Sequence, residues 1–180
     1  MKITIKNICE ISIYVALAIV LDNFKIPISL TGGSINLSMV PLVILASRFS
    51  LLKSIFSISI IFSILSCLID GYGFITFPFD YFIAFLGYSS MSIFFKVFYK
   101  KDKSITYLLC IILTSIISFI FRMLGHTLSS ILIYELDIIS ALIYNITYVG
   151  FSILASTIVL MILYIPLSKF LNYTLKKDKM

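Results

Sequence analysis

Six apolar stretches, broken only by short polar connections, constrain this chain more than any other feature of its sequence. About 20 apolar residues, each rising 1.5 Å in a helix, cross the hydrocarbon core of a bilayer. By that rule membrane-spanning helices are expected near 8–22, 35–47, 51–69, 79–98, 105–131 and 138–167. The second is short and the last two are long, which predicts tilt or protrusion. The expected fold class is an all-α integral membrane protein, a single six-helix membrane domain over residues 1–180. Composition agrees, since 61% of the 180 residues are hydrophobic and 12% are charged. That is too little polar surface for a water-soluble domain of this length. The first stretch, Ile8 to Leu21, lacks a small-residue cleavage site and is expected to be a retained helix.

Charge placement orients the helices. Lys2 and Lys6 precede the first stretch, Arg48 and Lys53 flank the second connection, Lys96, Lys100, Lys101 and Lys103 the fourth, and Lys169, Lys176, Lys177 and Lys179 the tail. Alternate connections thus hold twelve of the fourteen basic residues, while the opposite side has Lys25 with Asp22, Asp70, Asp80, Glu135 and Asp137. Basic connections stay cytoplasmic, so both termini are expected inside, in the cell membrane. The net charge of +6 reports this topology, and no nucleic-acid partner is expected.

Several classes of chemistry lack their residues. Cys9, Cys67 and Cys110 are scattered along apolar segments with no metal or redox spacing, and the single histidine with dispersed acids makes no metal site. No phosphate-binding loop is present, so ATP-driven transport would require ATPase partners. Gly87-Tyr88-Ser89-Ser90 has some likeness to the serine motif of intramembrane proteases. Its last glycine is missing, however, and Ser89 is expected nearer mid-membrane than His126. No enzyme activity and no cofactor are expected. There are no paired internal halves either, although a six-helix unit acting as a homodimeric small-solute transporter or channel is the rival reading.

Ionisable groups at membrane depth are costly, and each marks a functional site or a structural pair. Asp80, Tyr81, Arg122, His126 and Asn145 fall in the outer half; Arg122 and His126 share a helix face, being four residues apart. Polar groups converging among Phe and Tyr rings describe a ligand pocket. The structural alternative is an Asp80–Arg122 ion pair, with His126 and Asn145 joining helices. Glu10 is expected to pair with Lys6 at the rim. The connection Asn23 to Gly33, with Pro27 and Gly32-Gly33, can fold tightly or act as a lid. The aromatic-rich connection Asp70 to Pro78 is either an interfacial belt or a pocket wall. Ser12 and Ala16 form a small-xxx-small pair, for internal packing or for docking another membrane subunit.

Gly32-Gly33-Ser34-Ile35-Asn36-Leu37-Ser38-Met39-Val40-Pro41 resembles the Gly-Gly-Ser loop and Ser-Met-x-Pro helix start of the thiamine-binding S-components of energy-coupling factor transporters. Asp80-Tyr81-Phe82-Ile83-Ala84-Phe85 is similar to that family's Glu-Tyr-Pro-Leu-Ala-Phe, and Arg122-Met123-Leu124-Gly125-His126 and Leu142-Ile143-Tyr144-Asn145 continue the likeness over nearly the whole chain. The resemblance implies a non-enzymatic binding subunit that captures thiamine, or a related small aromatic vitamin-like ligand, from outside. It would pass the ligand to a transmembrane coupling subunit driven by two ATPase subunits. It implies ligand contacts at Asp80, Tyr81, His126 and Asn145, with Ser130 one turn beyond the histidine, and docking at Ser12 and Ala16. The chain has no tryptophan. Phe74, Phe77 or Tyr134 would take over the family's ring stacking, Ser140 replaces a tyrosine, and Asp80 is one methylene shorter than glutamate.

Overall fold

The computed structural model describes residues 4–29, 32–98 and 104–177, without the side chains of Ser29, Ser104 and 164–177. Lys2, Thr31, Lys100, Lys101, Lys103 and Lys179 lie outside the described residues, as do their shares of the topology argument. Helix α1 spans Ile5–Asn23, and the Thr4 hydroxyl caps it by accepting from the Asn7 amide at 3.3 Å. A hairpin follows, with β1 Ile26–Ser29 antiparallel to β2 Gly32–Ile35 and Ile26 opposite Ile35. Helix α2 is Met39–Arg48, α3 Leu51–Asp70, α4 Phe74–Phe98, α5 Ser104–Leu132 and α6 Ile138–Lys177.

Among the described residues, four helices are long and apolar enough to cross a membrane: α3, α4, α5 and α6. Helix α1, at 19 residues, is nearly as long as a span and carries Lys6, Glu10 and Asp22. The expected span at 35–47 needs correction. Ile35 ends β2, Asn36 to Ser38 form a polar turn, and α2 has only 10 residues, or about 15 Å. Leu42, Val43, Leu45 and Ala46 are fully buried, so α2 is apolar because protein surrounds it. An apolar run of that length belongs to a core helix more often than to a span. The hairpin likewise adds a small sheet to an otherwise helical fold.

The long helices turn their polar faces inward. On α5, Ile105, Leu109, Ile112, Ile116, Ile120, Leu124, Leu128 and Leu132 are exposed along one stripe. The opposite face buries Tyr107, Thr114, Ser115, Ser118, Arg122 and Ser129. An aqueous protein would reverse this, whereas lipid accepts the apolar stripe and excludes the hydroxyls. Glycines bring α4 against α5. A Cβ on Gly87 would come within 2.7 Å of the Ser118 Cα, and one on Gly125 within 2.4 Å of the Phe79 carbonyl oxygen. Both contacts require hydrogen in place of a side chain.

Helices α3 and α4 are irregular, widening into π turns at Phe56–Phe62 and Phe77–Ile83. The second π turn carries Asp80 and Tyr81. At the other end of the bundle Glu10 forms its ion pair with Arg48 on α2, not with Lys6, because α2 packs along α1 there. Ser12 and Ala16 face outward from α1, while Val15 and Ala18 turn inward. The small pair is therefore not part of the packing inside the bundle.

Candidate functional site

A cavity of about 900 Å³ opens between the hairpin and the ends of α1, α3, α4, α5 and α6, within the usual size for a small-molecule site. Of the residues expected at the site, Asp80, Tyr81, His126, Ser130, Tyr134, Ser140 and Asn145 line it. Phe74 and Phe77 do not. Their rings stack on each other at 5.2 Å between centroids, Phe74 is exposed, and Phe77 packs toward the core and Phe82. The cause is the chain reversal before α4. Gly71 and Gly73 take positive φ (73° and 93°), and the turn they make presents Tyr72 to the cavity while directing the two phenylalanines elsewhere. Aromatic faces at the cavity come instead from Tyr72, Tyr81, Phe85, Tyr134, Tyr144 and Tyr148.

Two polar clusters form the wall. In the first, Asp80 Oδ1 lies 2.8 Å from His126 Nδ1, and the Ser129 hydroxyl donates to Asp80 Oδ2 at 2.5 Å. With Nδ1 protonated the neutral ring donates to the carboxylate, and Nε2 then becomes an acceptor with no partner among the described residues. Beside it Asn145 Nδ2 donates to the Ser130 hydroxyl at 3.1 Å, and the Tyr148 hydroxyl donates to Asn145 Oδ1 at 2.9 Å. The Tyr148 ring also meets His126 edge-on at 5.5 Å. The Ser89 hydroxyl, by contrast, has no hydrogen-bond partner among the described residues, and the ring of His126 contacts Asp80 and Tyr148.

The second cluster was not anticipated from the sequence. Asp22, read there as a loop acid, is buried at 7% exposure. Its Oδ1 accepts from Asn36 Nδ2 at 2.7 Å and its Oδ2 from the Ser66 hydroxyl. Lys25 pairs with Asp70, whose other oxygen accepts from the Tyr81 hydroxyl at 3.0 Å. All six line the cavity. A polar residue in every preceding element was visible in the sequence, but nothing in one dimension shows the ends of α1 and α3 meeting the hairpin. Partial burial alone would lower the Lys25 ammonium, yet the hydrogen bond and charge of Asp70 outweigh it and raise the group above its ordinary value. A raised lysine keeps its full contribution below its unfolded value and loses it only as alkali passes the folded one. The hairpin's anchor on α3 therefore persists through neutral pH. Burial first, and then the Asp80 charge, raise the Tyr134 hydroxyl at the cavity's edge.

Arg122 does not pair with Asp80. Its Nη1 reaches the Tyr88 hydroxyl at 3.3 Å and Ser152 Oγ at 3.2 Å, and its guanidinium lies 5.9 Å from the centre of the Phe85 ring. Gly33, with φ of 70°, sits so close to α6 that a Cβ would come within 2.8 Å of the Tyr148 ring and 2.9 Å of the Tyr144 hydroxyl. The hairpin is thus pressed onto α6 at Gly33 and held to α3 by Lys25. The formal charge of the wall is three carboxylates against the two fixed cations Lys25 and Arg122.

The family model for thiamine transporter protein (Thia_YuaJ) matches residues 8–176. Among solved structures, ThiT from Listeria monocytogenes superposes with a TM-score of 0.71 at 21% sequence identity, covering 88% of this chain and 92% of that one. At that identity the likeness concerns the fold. No curated protein matches the sequence.

Proposed function

On the premise that this chain belongs to the thiamine transporter protein family, we propose that it is the substrate-specific binding subunit of an energy-coupling factor importer, capturing thiamine at the outer face of the cell membrane. One observation carries the ligand: Asp80, at the cavity wall, has no fixed cation within ion-pair distance among the described residues and sits beside the unpartnered His126 Nε2. Lys25 occupies Asp70, whereas Asp80 has only His126 and Ser129. A cationic heteroaromatic molecule supplies the missing charge, and the surrounding tyrosine rings supply faces worth roughly 0.5–2 kcal/mol per cation–π contact. His126 Nε2 offers an acceptor to an amino group, and Asn145 and Ser130 offer a donor and an acceptor to ring nitrogens or a hydroxyl. Tyr81, Tyr134 and Ser140 complete the proposed contacts. Isothermal calorimetry on detergent-purified protein tests this directly, with saturable heat at micromolar thiamine as the expected result. No heat at high micromolar concentration removes thiamine as the ligand.

The same reading assigns six membrane-embedded helices, α2 among them as a core helix, with both termini in the cytoplasm. Arg48, Lys53 and Lys96 would lie at the cytoplasmic end and Asp70, Glu135 and Asp137 outside. In a cysteine-free background, cysteine at Asp137 should react with an impermeant thiol reagent applied to intact cells, and cysteine at Lys96 should not. Labelling at Lys96 reverses the orientation.

The proposed partners are a transmembrane coupling subunit and two ATPase subunits. Ser12 and Ala16 lie on the outward face of α1, where small residues let a second helix approach closely. Ala16→Trp should therefore abolish copurification with the coupling subunit while thiamine affinity stays within about twofold, since α1 presents this face away from the cavity. Uptake by vesicles containing this protein alone would instead favour a self-contained transporter.

A further inference from the structure

We propose that Arg122 is the buried counter-charge of Asp22, joined to it by a relay through Ser152 and Asn36, and that this relay sets the charge selectivity of the cavity. Arg122 is 4% exposed and Asp22 is 7% exposed. A lone charge at such burial is strongly unfavourable in a protein and more so in a membrane. Yet among the described residues no carboxylate lies within ion-pair distance of Arg122, and no cation within ion-pair distance of Asp22. The hydrogen bonds connect them instead. Arg122 Nη1 donates to Ser152 Oγ at 3.2 Å, Ser152 donates to the Asn36 carbonyl at 3.0 Å, and Asn36 Nδ2 donates to Asp22 Oδ1 at 2.7 Å. In these three bonds each donor points toward the carboxylate, so their dipoles carry the positive potential of Arg122 in the direction of Asp22, while the longer bond from the Asn36 backbone amide to Ser152 Oγ, at 3.5 Å, runs the other way.

Of the other charged groups on the wall, one pair is closed and one carboxylate is hydrogen-bonded without a fixed cation. Lys25 sits on Asp70, and Asp80 is held by His126 and Ser129. With Asp80 left to the ligand, Arg122 and Asp22 are the remaining opposite charges, and both line the cavity together with Asn36. The relay also ties four parts of the fold together: α5 through Arg122, α6 through Ser152, the turn after the hairpin through Asn36, and α1 through Asp22. While it is intact, the Asp22 charge is cancelled before a ligand meets it, and Asp80 remains the determinant of ligand charge. Asp22 and Arg122 act here as positioning and charge-setting residues rather than as ligand contacts.

The selectivity part rests on the thiamine reading of the cavity; the pairing itself does not. Two measurements on the full-length purified protein separate them. Thermal unfolding without ligand should show Arg122→Gln and Asp22→Asn each lowering the midpoint by about 5 °C or more, and the double variant recovering most of that loss. Calorimetry with thiamine and with a neutral analogue, carrying an uncharged ring in place of the thiazolium, then reads the selectivity. Arg122→Gln should raise the thiamine-to-analogue affinity ratio about tenfold and Asp22→Asn lower it about tenfold. That is the effect of a unit charge roughly 10 Å away at an effective dielectric near 20. The double variant and Arg122→Lys should return the ratio to that of the unaltered protein. If Arg122→Gln does not fold, the ratios for Asp22→Asn and Arg122→Lys still decide the selectivity part. Equal weakening of both ligands, with the ratio unchanged, overturns it. Additive losses of unfolding temperature overturn the pairing, and they do so even if the protein binds neither ligand and the thiamine reading itself fails.

Discussion

Asp80→Asn is expected to weaken thiamine binding by about 100-fold while weakening a neutral analogue less than about tenfold. The estimate follows from removing one member of a charge interaction in a poorly solvated site, which costs about 2–5 kcal/mol. Asparagine keeps the size of the side chain and can still accept from Ser129, so the shape of the wall is preserved. What disappears is the negative charge. The other two carboxylates of the wall do not replace it, because Lys25 holds Asp70, and Asp22 has Arg122 as its counter-charge in the relay proposed above. Calorimetry with both ligands is the check. An unchanged thiamine affinity would mean that the cation does not sit against α4, and the site would have to be redrawn around Asp22 and Asp70. Asn145→Ala gives the contrasting pattern. It removes a neutral hydrogen-bonding group, strands the Tyr148 hydroxyl, and should weaken both ligands similarly, each unpaired buried group costing about 1–3 kcal/mol.

Gly125→Ala is expected to destabilise the protein by about 3 kcal/mol, the upper part of the range for overpacked interiors, and to remove thiamine binding. The added methyl would start 2.4 Å from the Phe79 carbonyl oxygen and 3.1 Å from the Ala84 amide nitrogen, both of them backbone atoms. No side-chain rotation relieves that, so α4 must move away from α5. The π turn that contains Phe79 also contains Asp80, and Gly125 adjoins His126. The displacement therefore opens the Asp80–His126 contact, 2.8 Å in the intact protein. Fold and site fail together because one helix crossing supports both. Gly150→Ala is the control: a Cβ there meets nothing within 4 Å, and stability and affinity should hardly change. Ligand affinity and the unfolding midpoint of both variants decide the matter, and a Gly125→Ala protein with normal binding would refute the tight crossing.

Much of the architecture could be read from the sequence because each apolar stretch partitions into lipid by its own length and composition. The boundaries expected near 51–69, 105–131 and the start of 138–167 lie within a residue or two of the helix ends observed. The short second stretch misled for the same reason. Ile35 to Ser47 is apolar enough for lipid, and local composition does not distinguish a helix surrounded by lipid from one surrounded by protein. Only the packing of α1, α3, α4 and α6 around α2 makes that distinction.

The candidate site divides along a similar line. Asp80, His126 and Asn145 stood out because polar groups inside apolar stretches are conspicuous in one dimension, and all three face one cavity. Asp22, Lys25 and Asp70 were inconspicuous, since charged residues at the ends of spans ordinarily meet water. Their burial follows from the hairpin folding back over the helix ends, and from Gly33 allowing it to press against Tyr144 and Tyr148. The choice of Tyr72 over Phe74 and Phe77 for the wall was equally invisible, because it depends on the backbone direction set at Gly71 and Gly73. The sequence by itself determined which segments favour lipid and which polar groups resist it, both being properties of a residue and its near neighbours. Tertiary structure alone decided which charges neutralise each other, because that depends on distances between α1, α3, α5 and the hairpin that no spacing along the chain encodes.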